Sequence, residues 1–170
     1  DSVSGNSKEG ADKNHTNNQL ADGGFKISGS GSMQKQKFLV EATGGSLDGL
    51  RDSSNDYPLQ INISMGSTKV SFDGTFKDPI KLTGVNASLN ISGHSMADLF
   101  YLTAIPLPIT PPYKLSGRLT KTGQVWAYED FKGQVGGSDL GGKLSYDLSG
   151  KRGFLKANLS SMLLDSKDLG

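Results

Sequence analysis

Histidine, cysteine and paired carboxylates carry much of protein chemistry, and this sequence holds few of them. Its only histidines are His15 and His94, far apart in the chain, and it has no cysteine. A histidine-based metal or proton-transfer centre would have to bring those two imidazoles together from a distance. Disulfide frameworks and thiolate zinc sites are excluded. No serine sits in a nucleophile elbow, and no carboxylate pair stands out for acid–base work. Asp52, Asn55 and Asp56 offer the closely spaced oxygens a calcium ion takes, but the same residue types build solvated turns. The run GQVGGSDLGG (residues 133–142) has the look of a phosphate-cradling loop. Such loops need a helix start behind them, and here another strand pattern follows at once. The chemistry-bearing residues therefore define no catalytic site, no metal site and no cofactor site, and the expectation is a protein that is not an enzyme.

Two further residue patterns have both a functional and a plain meaning. Five Asn-x-Ser/Thr sequons begin at Asn14, Asn62, Asn86, Asn90 and Asn158. They are glycosylation acceptors in a secreted protein, and they also arise wherever Asn and Ser fill the wet face of a strand. Trp126, Tyr128 and Tyr146 could form a stacking platform for sugar or base. Alternation places Tyr146 alone of the three on the inward, apolar face.

The elements that would carry these residues are strands. In the stretch FKGQVGGSDLGGKLSYDLSGKRGFLKANLSS (residues 131–161) every second residue is apolar or glycine, the period of a half-buried strand. The same alternation starts at Phe25 and Ile27. It runs through Phe38, Val40 and Ala42, then Leu59, Ile61, Ile63 and Met65, then Val70, Phe72, Gly74 and Phe76, with turns at GST and KDP. Ile80 and Leu82 read as the start of the next strand, with a bulge at Thr83-Gly84 before Val85, Ala87, Leu89 and Ile91. One segment breaks the period. GHSMADLFYLTA (residues 93–104) has helical spacing at Met96, Leu99, Phe100 and Thr103, with Ser95 as N-cap. IPLPITPPY then stops the helix and runs extended, because proline denies it donors and the αR region. Gly74, Gly117, Gly133 and Gly142 fall on the apolar face, where glycine marks bending or close approach by another backbone or a ligand.

Composition agrees. A chain of 170 residues is one domain or a piece of a larger one. Apolar residues make up 34%, with 23 glycines, and the mean hydropathy is −0.39. That suits sheets with one apolar and one wet face better than a two-sided core. A formal net charge of +1 gives no basic face for nucleic acid. No apolar run approaches the ~20 residues of a membrane span. Residues 1–22 are polar and read as a flexible lead-in, and residues 23–170 as a β-sheet domain. The start at Asp1 rather than Met reads as an excised fragment. The fold expected is all-β: an antiparallel meander with one short helix near residues 95–104.

The last forty residues also carry a family resemblance. Gly137, Ser138, Asp139, Leu140 and Gly142 match a Gly-x-Ser-Asp-Leu-x-Gly step. Leu155, Ala157 and Leu159 match a Leu-x-Ala-x-Leu strand, and Leu164, Asp165, Asp168, Leu169 and Gly170 match a Leu-Asp-x-x-Asp-Leu-Gly exit. Earlier, DLFYLTAIPLPITPPYKLSGRL and SFDGTFKDP fit the helix, proline run and hairpin of the same pattern. In these features the chain, from about Gly24 to Gly170, resembles the AsmA family of Gram-negative envelope proteins. Gly153 departs from the pattern at a turn where many relatives have proline.

The resemblance implies a periplasmic protein anchored in the inner membrane by a segment absent here. It also implies likeness to bridge-like lipid-transfer proteins, whose long sheets hold acyl chains on the concave face and which are linked to outer-membrane biogenesis, so that the meander expected here is a curved, gutter-like one. The partners expected are phospholipid acyl chains, with possible envelope-protein partners and no nucleic acid. Burial contributes about 0.8 kcal/mol per methylene, so an acyl chain needs no single specific site. The groove candidates are Leu115, Leu119, Phe131, Val135, Leu140, Leu144, Tyr146, Leu148, Leu155, Ala157 and Leu159, with the glycines leaving room for the chains. An alternative is a scaffold for outer-membrane assembly whose apolar face packs on protein. A polysaccharide-binding module would need aromatics on the polar face, where Trp126 is the strong candidate.

Overall fold

The computed structural model describes residues 18–19, 23–33, 35–52, 54–163, 165 and 167. The rest of the lead-in, with His15 and the Asn14 sequon, lies outside them, as do Leu164, Asp168, Leu169 and Gly170 of the exit motif. Ten strands form one antiparallel sheet in strict chain order. They are β1 (Asn18–Gln19), β2 (Gly24–Met33), β3 (Gln36–Ser46), β4 (Tyr57–Met65) and β5 (Thr68–Phe76), followed by β6 (Asn86–Gly93), β7 (Tyr113–Thr122), β8 (Val125–Val135), β9 (Ser138–Asp147) and β10 (Phe154–Ser160). The sheet is open and curls into a gutter, as the resemblance implies.

Register carries the apolar set from strand to strand. Val40 faces Ile63, Ile63 faces Val70, Val70 faces Ile91 and Ile91 faces Leu115. A slip of one residue anywhere would turn a strand's apolar set to water. Two-residue turns fix the register at Gly66-Ser67, Gly123-Gln124 and Gly136-Gly137, with the leading glycine at φ 57°, 59° and 61°, the left-handed conformation such turns require.

Two apolar clusters lie on the concave face. One holds Leu99, Tyr113, Leu115, Tyr128, Phe131 and Val135. The other holds Phe72, Phe76, Val85 and Ala87, with Leu119 and Trp126 packed against it.

Two expectations are corrected. Ile80 and Leu82 are not in a strand; they are exposed in a loop. Asp78 accepts the Lys81 amide at 2.9 Å, and Lys77 and Asp78 both donate to the Thr83 carbonyl. The loop closes on itself with Leu82 at φ 52° and Gly84 at φ 61°, and the next strand starts only at Asn86. The helix lies at the expected place, with Ser95 as its N-cap: a 3-10 turn, Met96–Leu99, runs into a single α-turn, α1 (Phe100–Thr103). Ala104 ends it in the left-handed region, its amide donating to Phe100 O at 2.8 Å.

The second correction concerns faces. Register slips between Tyr128 and Phe131, with Asp130 at φ 49°. This bulge brings Trp126 and Tyr128 onto the same face as Phe131, so Tyr146 is not alone there. Tyr128 and Phe131 stack with centroids 5.1 Å apart. Tyr128 is buried and its hydroxyl donates to Leu89 O at 3.1 Å.

Candidate functional site

The apolar face is the one extended surface whose chemistry sets it apart, and its own chain covers part of it. After β6 the segment 95–112 folds back as a strap. Its Leu99, Met96 and Leu107 pack on Tyr113, Leu115, Phe131 and Val135 at the end of the gutter where β6 leaves and β7 enters. The strap is tied to itself by two side chains. Ser95 Oγ accepts the Ala97 and Thr110 amides at 3.3 and 3.2 Å, and Thr110 Oγ1 accepts the Met96 amide at 3.0 Å. Ser95 is thus an N-cap and a clasp on the proline run together.

The expected groove residues separate into three groups. Leu115, Phe131 and Val135 are buried beneath the strap. Leu140 and Leu144 pack half-buried against that cluster, and Leu119 against the other. Leu155, Ala157 and Leu159 are exposed on the edge strand β10, facing Tyr146, Leu144 and Gly142. Leu148 lies past the end of β9, exposed. The uncovered apolar surface therefore sits on the flanks: Leu155 and Leu159 on one side, at 40% and 56% exposure, and Ile27 on the other at 43%.

The four glycines of this face do not make room for a ligand. A Cβ at Gly74 would stand 2.3 Å from Ala87 Cβ, and at Gly117 2.6 Å from Phe131 Cβ. At Gly133 and Gly142 it would meet the backbone oxygens of Lys114 and Asn158 at 1.9 and 2.0 Å. They mark close approach of neighbouring strands and side chains within the curled sheet, which sequence alone could not separate from approach by a ligand.

The polar residues singled out earlier are engaged locally. Asp52 accepts from the Ser54 amide and from Asn55, which holds its carboxyl below the ordinary value, and Asp56 pairs with Lys77 at 2.7 Å. Among the described residues no three His, Cys, Asp or Glu side chains cluster as a metal would need. His94 is exposed in the turn after β6. Asn62, Asn86, Asn90 and Asn158 all stand exposed on the polar face, the placement that strand alternation produces by itself. Asp139 of the Gly-x-Ser-Asp-Leu-x-Gly step has a structural task. Its carboxylate accepts the Met162 and Leu163 amides and the Ser161 hydroxyl, folding the exit from β10 against β9.

Sequence reasoning missed Lys121. Register pairs it with Trp126 on the concave face, and its ammonium lies 5.3 Å from the indole centroid. Alternation would have placed it there, continuing the series Leu115, Gly117, Leu119, but a lysine is not expected on an apolar face.

A curled, open antiparallel sheet with one apolar face defines an all-β protein with a gutter-like sheet. The chain is 34% identical over 169 residues, 96% of its length, to the AsmA family protein YhjG of Escherichia coli (strain K12). The chain belongs to the AsmA family. It spans 24% of that relative's length. No family model and no solved structure matches it. No helix among the described residues is long and apolar enough to cross a membrane.

Proposed function

We propose that this chain is a non-enzymatic periplasmic module whose apolar face takes up phospholipid acyl chains in outer-membrane biogenesis, its parent protein anchored in the inner membrane. One observation carries the reading. Paired apolar positions continue from β2 to β10, and they stay uncovered on the flanks at Ile27, Leu155 and Leu159. Contiguous exposed apolar surface is what marks a binding face. Family membership supports an envelope role. A run of leucine and alanine gives many small, equal contacts, which suits a ligand that slides.

The test is native mass spectrometry with lipid extraction on chain purified gently from a Gram-negative host. The expected result is co-purified phospholipid, lost from the double variant Leu144→Asp, Leu155→Asp. Lipid-free protein that is nonetheless folded would sink the reading.

The strap favours a second reading, a scaffold whose apolar face packs on protein, because it already covers one end of the face with protein side chains. In that case the same double variant would lose a protein cross-link and no lipid.

A further inference from the structure

One transverse row of the concave face has a composition unlike the rows beside it. Lys121 faces Trp126, Trp126 faces Tyr146, and Tyr146 faces Leu155. The row crosses four strands, β7 to β10, at the end of the gutter opposite the strap. The next row inward is Leu119, Tyr128, Leu144 and Ala157. Lys121 is the one charged side chain on the concave face of the described strands. It has no ion-pair partner among the described residues, and its ammonium rests at the Trp126 ring. Indole and phenol rings with one wet and one apolar end are the side chains that settle at lipid–water boundaries. A lysine stem lies along apolar surface while its ammonium stays at the water.

We propose that this row is a headgroup site. An anionic amphiphile, with a phosphate and no compensating ammonium, places its phosphate at Lys121 and its acyl chain along Leu144, Ala157 and Leu159 on β9 and β10. The inference rests on the acyl-chain reading above and adds orientation and class to it. The strap closes the far end, so the headgroup meets the gutter at the Lys121 end. Because no carboxylate pairs with Lys121 among the described residues, a zwitterionic headgroup gains nothing that an anionic one does not.

The experiment incubates the full chain with vesicles of equimolar phosphatidylglycerol and phosphatidylcholine of matched acyl chains, and compares the two adducts by native mass spectrometry. The expected result is a phosphatidylglycerol preference of about two- to fivefold, the range of a partly exposed charge pair. It disappears in Lys121→Met, which keeps an apolar stem on Trp126: phosphatidylglycerol uptake falls to the phosphatidylcholine level. Lys114→Met removes an equal charge from the polar face and keeps the preference. Equal binding of both lipids by the unaltered chain overturns the headgroup site and leaves the acyl-chain reading standing. Equal loss in both lysine variants reduces the effect to overall charge and also overturns it. Uptake of neither lipid overturns both readings.

Discussion

Tyr113 carries a hydroxyl that the fold does not use. It is buried beside Thr68 and Gly93 without a hydrogen bond of good geometry, and burial pushes its ionisation up to about 12. A buried, unpaired polar group costs about 1–3 kcal/mol. Tyr113→Phe should therefore leave stability unchanged or raise it by about 1 kcal/mol, read from urea unfolding. Two glycines predict opposite readouts of the same clash. Gly133→Ala drives a methyl into the Lys114 carbonyl beneath the main cluster, and strain of about 1–3 kcal/mol should lower the global melting temperature. Gly142, at φ 142°, abuts Asn158 of the exposed strand β10. Gly142→Ala should release β10 alone, seen as faster amide exchange at residues 154–160. Asp139 sets a pH dependence. The amides of Leu163 and Met162 and the Ser161 hydroxyl stabilise its charged form and hold its carboxyl below the usual range. The contribution is fully present above the unfolded carboxyl's value of about 3.9, and is lost as pH falls through the depressed folded one. The Met162 and Leu163 amide shifts should be flat near neutrality and titrate only in acid; a midpoint at or above about 4 contradicts the latch.

Among the elements, the strap is the piece whose removal should change the surface without dissolving the sheet. Leu99 is its buried anchor, at 5% exposure. Leu99→Ala should cost about 2–4 kcal/mol and expose Leu115 and Phe131, raising the binding of a hydrophobic dye while far-ultraviolet dichroism stays strand-like. Ser95 and Thr110 hold one another through the backbone, so their alanine variants should be non-additive in a double-mutant cycle. The strands and the helix position were legible in the sequence because period two and an N-cap are local signals. The faces of Trp126 and Tyr128 were not, since a bulge centred on Asp130 shifts parity and nothing in the residue types announces it. Ile80 and Leu82 misled for a related reason: apolar residues in a self-closing loop look like a strand until Leu82 is seen in the left-handed region. The candidate site was legible as a face and not as a surface. Alternation identified Leu115 and Phe131 as inward, but whether the chain itself covers them depends on where the strap lands.

The whole molecule is built so that each described strand pairs only with its neighbours in sequence. Contacts in such a sheet are local and resemble those of repeat proteins, where stability is close to a sum over units. All seven residues of β10 are exposed and none belongs to a core cluster. Truncation after residue 149 should therefore leave β2 to β9 folded with a small drop in melting temperature; global unfolding on that truncation would show that the edge strand is needed for the whole. The meander also has a consequence for growth. No strand is inserted between two earlier ones, so a hairpin added at either border would need no rethreading and would leave the existing pairings untouched. The width of the apolar surface is then set by counting hairpins, as a fence is lengthened by adding boards, and selection could tune how far the surface reaches by duplication alone.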